Sequence, residues 1–154
     1  MKTSAEQDYE RKYTDEERRL AEHIIGLKRA ALDKWFSGDT SGYERLWSER
    51  SFTYFDGIVS ERVDDHATIA GFLKTIEGKL FADSYDFRSP RVQFGQDMAV
   101  LTYQLFAETT LIDMAYNCIE VYQLEADGEW RVIHSTWSFI RPLEKKPEKE
   151  ENIA

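Results

Sequence analysis

The feature that most constrains this chain is a change of hydrophobic period part of the way along it. In its first half the large apolar residues recur every three or four positions, as on one face of a helix. From residue 85 to residue 141 the period becomes two, as in strands that have one buried face. Helices that precede a set of antiparallel strands are typical of an α+β domain with its helices on one face of a sheet.

The first periodic segment predicts a long helix that starts near residue 15. Residues 14–17, Thr-Asp-Glu-Glu, have the spacing of a capping box. Gly38 suits the left-handed position that follows a helix end. Two shorter helices are predicted, one around residues 43–47 and one that follows Asp64 or Asp65. The apolar stripe of the long helix comprises Leu20, Ile24, Leu27, Ala31 and Trp35.

The second half of the chain predicts four long strands, after a short one at residues 52–57. Pro90 cannot donate to a ladder, so the strand that contains it is expected at an edge or a bulge. Asp127-Gly128 predicts a hairpin between the last two strands. Long strands with aromatic residues on both faces are expected to curve, and a curved sheet around a helix leaves a hollow of the kind that ligands occupy. The long strands are predicted at residues 85–94, 98–109, 114–125 and 129–141.

One domain accounts for the 154 residues, because a chain of this length suits a single hydrophobic core. We expect residues 15–142 to form it, residues 1–14 to be a flexible N-terminal segment and residues 143–154 to be a charged C-terminal tail. No apolar run resembles a secretory signal or approaches the roughly 20 residues of a membrane-spanning helix. Together with the single cysteine, this predicts a cytoplasmic protein.

Composition and charge exclude several classes of function. Acidic residues outnumber basic residues 29 to 20, and the net charge of −9 repels nucleic-acid phosphates and an anionic membrane surface. The three histidines and one cysteine have no spacing that suits zinc. The sequence also lacks a glycine-rich phosphate loop and a nucleophile elbow, so we expect neither a metal nor an organic cofactor.

Three stretches carry a resemblance to a known superfamily. The first is residues 24–39, which begin with Ile-Ile and end with Trp-Phe-Ser-Gly-Asp. The other two are residues 54–56 (Tyr-Phe-Asp) and residues 127–138. In this order the chain resembles the nuclear transport factor 2-like superfamily, its SnoaL-like group, and the association domain of calcium/calmodulin-dependent protein kinase II. The resemblance covers about residues 20–142. It implies a cone-shaped α+β roll of the cystatin-like kind, whose strongly curved antiparallel sheet wraps around the long N-terminal helix and encloses a pocket.

Asp56 is the first candidate for a general base. It follows an aromatic strand and precedes Gly57, which places it at the rim of a pocket, where partial burial makes a carboxylate more basic. The similar position in ketosteroid isomerases, which the chain distantly resembles, carries an aspartate that removes the proton beside a carbonyl. The other interpretation is structural, because aspartate before glycine also begins turns.

Glu120 lies within a strand, where a charge is buried and paired, lines a cavity or sits on the outer face of the sheet. Ketosteroid isomerases carry at the similar position an acid that stays protonated and donates to the developing oxyanion. Their second donor, a tyrosine on the first helix, matches about Ala31 here. The resemblance therefore implies a generic acid/base pair and argues against that particular activity.

The role expected for His134 depends on the register of the last hairpin, because the register decides which residue is opposite Glu120. A two-residue turn at Asp127-Gly128 sets Glu120 opposite Ser135, whereas a three-residue loop slips the strands by one position and sets Glu120 opposite His134. In the second register the two side chains would form an acid/base couple. In the first, His134 lies on the outer face and serves a dimer interface or a purely structural role.

The expected ligand class follows from the kinase association domain. Its positions similar to Leu105, Glu120 and Trp137 carry arginines that bind carboxylate ligands, and none of the three is basic here. We therefore expect a small apolar, neutral or cationic ligand. For each aromatic pocket candidate the alternative is packing in the core, and no basic residue adjoins Cys118 to make it reactive. The pocket candidates are Trp35, Tyr43, Tyr54, Tyr103, Leu105, Cys118 and Trp137.

Two functions remain open at this point, because the superfamily holds isomerases, dehydratases, cyclases and non-catalytic modules alike. One is a small-molecule-binding pocket protein, possessing an acid/base activity of the isomerase, dehydratase or cyclase type that needs no cofactor. The alternative is a non-catalytic self-association module. The resemblance implies a homodimer formed through the outer face of the sheet. That face is expected to carry Asn117, Ile119, Val121, Val132, His134 and Thr136.

Overall fold

A computed structural model describes residues 2–10 and 12–141 of the chain, and it confirms the predicted α+β class. None of the described helices has the length and apolar character to cross a membrane. The helices are α1 (Ser4–Glu10), α2 (Asp15–Trp35), α3 (Ser41–Leu46) and α4 (His66–Ile76). The strands are β1 (Thr53–Phe55), β2 (Asp86–Gly95), β3 (Met98–Glu108), β4 (Asp113–Leu124) and β5 (Trp130–Phe139).

Helix α2 begins where the sequence predicts. The Glu17 backbone N–H donates to the Thr14 hydroxyl over 3.1 Å, and the Thr14 backbone N–H donates to the Glu17 carboxylate over 3.0 Å, which completes the capping box. Gly38 follows the end of the helix with a φ of +80°. The buried face of α2 contains one charged residue, Lys28, among Ala21, Ile24, Ala31, Leu32 and Trp35.

Helix α1 lies in the N-terminal segment, for which the sequence predicts no element, and the Tyr9 hydroxyl donates to the Val92 carbonyl of β2 over 3.4 Å. The flexibility of residues 1–14 and the domain boundaries at 15 and 142 stay predictions. The predicted tail, residues 143–154, lies outside the described residues.

The five strands form one open sheet in the order β1-β5-β4-β3-β2. Strands β2 to β5 are antiparallel, whereas β1 runs parallel to β5, so the sheet is mixed rather than wholly antiparallel. Strand β2 is at an edge, and its register shifts between Arg88 and Arg91, where Pro90 interrupts the ladder. The proline thus has both of the consequences that its missing N–H predicts.

The hairpin between β4 and β5 combines a longer loop with a compensating bulge. The Glu125 N–H donates to the Glu129 carbonyl, so the loop has three residues rather than the two that Asp127-Gly128 suggests. That loop alone would set Glu120 opposite His134. The register then shifts by one residue at Ile133, between the pairs Tyr122–Val132 and Val121–His134. Glu120 is therefore opposite Ser135, and its side chain lies on the face opposite to that of His134.

The core lies between the inner face of the sheet and the apolar face of α2. Leu101 and Leu105 of β3 and Tyr122 of β4 are fully buried on this inner face, and Ile24 and Leu32 of α2 are fully buried among the helical residues. Glu120 alternates with outward-facing Ile119 and Val121, so it belongs to this buried face. The sheet and the helix together therefore bury a charge on each side, Glu120 and Lys28.

Candidate functional site

A cavity of about 390 Å³ lies between the inner face of the sheet and helices α2, α3 and α4. Its lining is mostly apolar, and Asp56 is the one charged side chain among the described residues that line it. Exposed apolar side chains, including Ile58 and Phe72, surround it. The described lining contains no histidine or cysteine, and the described residues as a whole hold no cluster of metal-ligating side chains. Six of the lining residues are aromatic residues other than phenylalanine: Trp35, Tyr43, Trp47, Tyr54, Tyr116 and Trp137.

Edge-to-face contacts hold these aromatic rings. The ring centroids of Trp35 and Tyr43 are 4.9 Å apart at an interplanar angle of 84°, and those of Tyr116 and Trp137 are 5.2 Å apart at 70°. This geometry sets the positive edge of one ring against the negative face of the next, which is the arrangement that aromatic pairs prefer. These ring–ring contacts fix the walls of the cavity relative to one another.

Asp56 both begins a turn and lines the cavity. Its Oδ1 accepts hydrogen bonds from the backbone N–H groups of Ile58 (2.7 Å) and Val59 (2.8 Å), which is the turn interpretation of the sequence. Its Oδ2 accepts from the Tyr54 hydroxyl over 2.9 Å. A carboxylate has about four acceptor positions, so one on Oδ2 remains for a ligand or a proton. The two interpretations of Asp56 are therefore compatible.

Tyr54 orients this carboxylate. Burial and the neighbouring charge of Asp56 raise the pKa of the Tyr54 phenol well above its usual value of 10. The hydroxyl therefore stays protonated at neutral pH and donates to Asp56. Because Tyr54 and Asp56 lie two residues apart at the end of β1, both side chains point to the inner side of the sheet.

Glu120 lies behind the aromatic wall and does not line the cavity. Its Oε1 is 3.1 Å from Lys28 Nζ, and both side chains are completely buried. Lys28 also donates to the Tyr43 hydroxyl over 2.8 Å, and Tyr103 donates to the same Glu120 oxygen over 3.4 Å. Burial lowers the pKa of the Lys28 ammonium, and the Glu120 charge opposes that shift. Of the interpretations open for Glu120, the buried and paired one describes its position.

Lys28 contacts the wall of the cavity from behind. Its Nζ lies 4.2 Å from the ring centroid of Tyr43 and 5.2 Å from that of Trp137, and both rings line the cavity. Each distance is within the range of a cation–π interaction. The ion pair is thus separated from the cavity by one layer of aromatic side chains.

His134 is on the outer face of the sheet, away from Glu120. One ring nitrogen is 2.7 Å from the Thr53 hydroxyl and the other is 2.6 Å from the Thr136 hydroxyl. Partial burial lowers the pKa of His134 below its usual value of 6.5. An acid/base couple between His134 and Glu120 does not form, because the bulge at Ile133 restores the register that separates them.

Four of the seven predicted pocket residues line the cavity: Trp35, Tyr43, Tyr54 and Trp137. The other three, Tyr103, Leu105 and Cys118, are buried elsewhere on the inner face and belong to the core. Burial raises the pKa of the Cys118 thiol to about 12, so the thiol is protonated at neutral pH and is no nucleophile.

Two residues that matter here are not among the sequence candidates. Lys28 is four positions after Ile24 and four before Leu32, so it lies in the apolar stripe of α2. A charged residue in that stripe is the sequence signal that could have indicated a buried ion pair. Tyr116 alternates with Cys118 and Glu120 along β4, which places it on the same face.

Gly57, next to Asp56, packs closely against Phe139 at the end of β5, and a substitution at Gly57 tests this packing. A Cβ at this position would lie 2.1 Å from two ring atoms of Phe139, whose ring stacks on Tyr116. We expect Gly57→Ala to lower the free energy of unfolding by about 1–3 kcal/mol, because the clash displaces the turn or the ring. Chemical denaturation followed by tryptophan fluorescence measures this.

Gly71 of α4 is the matched control. A Cβ there meets nothing within 4 Å, so Gly71→Ala is expected to stabilise the helix by about 0.5–1 kcal/mol. A Gly57→Ala variant as stable as the unsubstituted protein would contradict the packing at Phe139. Partial recovery in the Gly57→Ala/Phe139→Leu variant would locate the clash.

Comparison with solved structures identifies the fold. A protein from Parabacteroides distasonis, described as a candidate ketosteroid isomerase, superposes with a TM-score of 0.72 at 28% identity, over 86% of this chain and 96% of that one. A nuclear transport factor 2-like protein from Cytophaga hutchinsonii gives a TM-score of 0.65 at 17% identity, over 77% and 97% of the two chains. The calcium/calmodulin-dependent protein kinase II hub of S. rosetta gives 0.61 at 18% identity, over 76% and 94%.

These structures confirm the resemblance that the sequence carries. The chain has the nuclear transport factor 2-like fold, a cone-like α+β fold with an open sheet. No protein-family model and no curated protein matches the sequence. Its assignment to the SnoaL-like group stays a prediction.

Proposed function

We propose that this nuclear transport factor 2-like protein binds a small molecule in the aromatic cavity and that Asp56 is the acid/base group of an isomerase-, dehydratase- or cyclase-type reaction. The observation that carries the proposal is the Asp56 carboxylate, which has one open acceptor position and is the one charged group among the described residues that line this aromatic cavity. A volume of about 390 Å³ is within the range of small-molecule sites.

The chemistry begins with a proton transfer to Asp56. Oδ2 takes a proton from a carbon beside a carbonyl, and the electron pair of the broken C–H bond moves into an enolate. Returning the proton to another carbon gives an isomer. In a dehydration, the electron pair of the enolate instead forms a C=C bond while the C–O bond of a β-hydroxyl group breaks, and the hydroxide takes up the proton and leaves as water. No oxidant, reductant or metal takes part in either course.

The donors that serve such an enolate in ketosteroid isomerases are not reproduced here. Ala31 stands where the resemblance places their tyrosine, and Glu120 is engaged by Lys28 behind the wall. The indole N–H groups of Trp35 and Trp47, which belong to cavity-lining residues, have no acceptor among the described residues. Both nitrogens are buried from the open volume of the cavity, so neither is placed to donate to an oxyanion there.

Proton exchange at carbon tests the proposal without knowledge of the product. A panel of bicyclic ketones, including β,γ-unsaturated ones and ones that carry an ammonium group, is incubated in D₂O, and loss of the α-proton signals is followed by NMR. We expect the protein to catalyse exchange of at least one ketone and Asp56→Asn to lower the rate by about 10²–10⁴-fold. Asp64→Asn, which removes an exposed carboxylate outside the cavity, is the matched control. No exchange with any ketone, or an unchanged rate in Asp56→Asn, would exclude Asp56 as the base.

Self-association through the outer face of the sheet is a second candidate function, compatible with the first. Ile119 is 37% exposed in the middle of β4, half-buried Val121 follows it on the same face, and Ile133 is at the bulge of the neighbouring strand β5. The bulge corrects the predicted face, because Val132 is fully buried on the inner side and Ile133 takes its place. The similarity to the calcium/calmodulin-dependent protein kinase II hub of S. rosetta supports a second copy of this chain as the partner. A cytoplasmic location stays a prediction from the single cysteine.

A further inference from the structure

The charge of the cavity is one-sided. Asp56 lines it, and no lysine, arginine or histidine does so among the described residues. An anionic ligand would meet a carboxylate without a compensating cation. A neutral ligand would leave that carboxylate partly desolvated and unpaired, which is costly in an apolar site.

The aromatic walls favour the opposite charge. Indole and phenol rings carry negative potential over their faces, and a cation within about 6 Å of a ring centroid is attracted to it. The same wall already holds a cation on its inner side, where Lys28 Nζ lies 4.2 Å from the ring centroid of Tyr43 and 5.2 Å from that of Trp137. The wall therefore has the chemistry of a cation-binding surface.

The Lys28 ammonium repels a cation in the cavity only weakly, because Lys28 is paired with Glu120. Glu120 Oε1 is 3.1 Å from Lys28 Nζ, and the opposite charges of this buried pair largely cancel at the distance of the cavity. Asp56 is then the nearest charge that the lining presents.

The surroundings of the cavity are suited to an apolar molecular body. Ile58 is 73% exposed, Phe72 49%, Leu111 47% and Ile112 42%, and all four line the cavity. Covering them removes apolar surface from water, which contributes to binding in proportion to the area covered.

We propose that the cavity selects an organic ammonium compound with an apolar body, whose charge lies against the aromatic wall and is balanced by the Asp56 carboxylate. This inference rests on the ligand-binding part of the proposed function and not on its catalytic part. It narrows the ligand from the apolar, neutral or cationic classes to the cationic one.

Three probes that share one skeleton and differ in charge test the selection. They are 2-naphthylmethylamine, which is an ammonium at neutral pH, the neutral 2-naphthylmethanol and the anionic 2-naphthoate, and calorimetric titration gives each affinity. We expect the ammonium to bind roughly tenfold or more tightly than the alcohol, and the carboxylate to bind most weakly. In Asp56→Asn the preference for the ammonium over the alcohol is expected to fall below about threefold, with the affinity for the alcohol unchanged.

Asp64→Asn is the control for a change of net charge, and it is expected to keep the full preference, because its side chain is 61% exposed and outside the cavity. Equal or tighter binding of the alcohol or the carboxylate by the unsubstituted protein would overturn the inference, as would a preference that survives in Asp56→Asn. Binding of none of the three probes would overturn the ligand-binding proposal as well. The proton-exchange assay separately decides the role of Asp56 as a base, so a failure of selection and a failure of catalysis are distinguishable.

Discussion

Lys28→Met is expected to lower the free energy of unfolding by about 3–5 kcal/mol, because it leaves Glu120 completely buried without its cation. Methionine keeps the length and the unbranched shape of the lysine stem, so the loss reports the charge rather than a cavity. Denaturation by urea, followed by the fluorescence of the four tryptophans, measures it.

The double variant Lys28→Met/Glu120→Leu separates the pair from the site around it. Removing both charges together is expected to recover most of the loss and to reach the stability of the unsubstituted protein within about 1–2 kcal/mol. Lys74→Met on the exposed side of α4 is the control and is expected to change stability by less than about 0.5 kcal/mol. Additive losses in the double variant would show that the two side chains do not interact. This outcome remains measurable even if Lys28→Met alone is mostly unfolded.

Val121→Arg is expected to weaken self-association by about 100-fold or more, since each copy would bury an arginine without a partner at the centre of the proposed interface. Val121 is half-buried on β4, opposite Val100 on one side and His134 on the other. Sedimentation velocity over a range of concentrations measures the change. The side chain points away from the cavity, so probe affinities are expected to stay the same.

Ala126→Arg is the matched control, because it adds the same charge at the exposed tip of the hairpin between β4 and β5. It is expected to leave the sedimentation coefficient unchanged. A monomeric unsubstituted protein at tens of micromolar would remove the self-association proposal. An oligomer that Val121→Arg does not dissociate would place the interface elsewhere.

Much of the fold was predictable because its signals are local. The capping box at residues 14–17 and the cap at Asp65 each depend on a few neighbouring residues, and both form as predicted. Pro90 places its strand at an edge and beside a bulge because one missing N–H has the same effect in any sheet. The alternation along β4 puts Glu120 and Tyr122 on one face, and the structure shows that this face is the buried one.

The register of the hairpin between β4 and β5 could not be predicted from neighbouring residues alone. The loop around Gly128 favours one pairing, and the bulge at Ile133 produces another. Val132 and Ser135 are both fully buried although they are an odd number of residues apart, so strict alternation would expose one of them. Packing of both against the core decides the register, and with it the separation of His134 from Glu120.

The sequence by itself determined the elements from α2 onward, their order, the superfamily resemblance and the position of Asp56 at the end of an aromatic strand, because each follows from residues that are neighbours in the chain. Only the tertiary structure decided that Lys28 pairs with Glu120 behind Tyr43 and Trp137, since these side chains come from four separate elements. It also decided which aromatic residues line the cavity and which fill the core. The physical reason is that a buried charge or an empty volume depends on everything packed around it, and that environment exists only after distant parts of the chain have met.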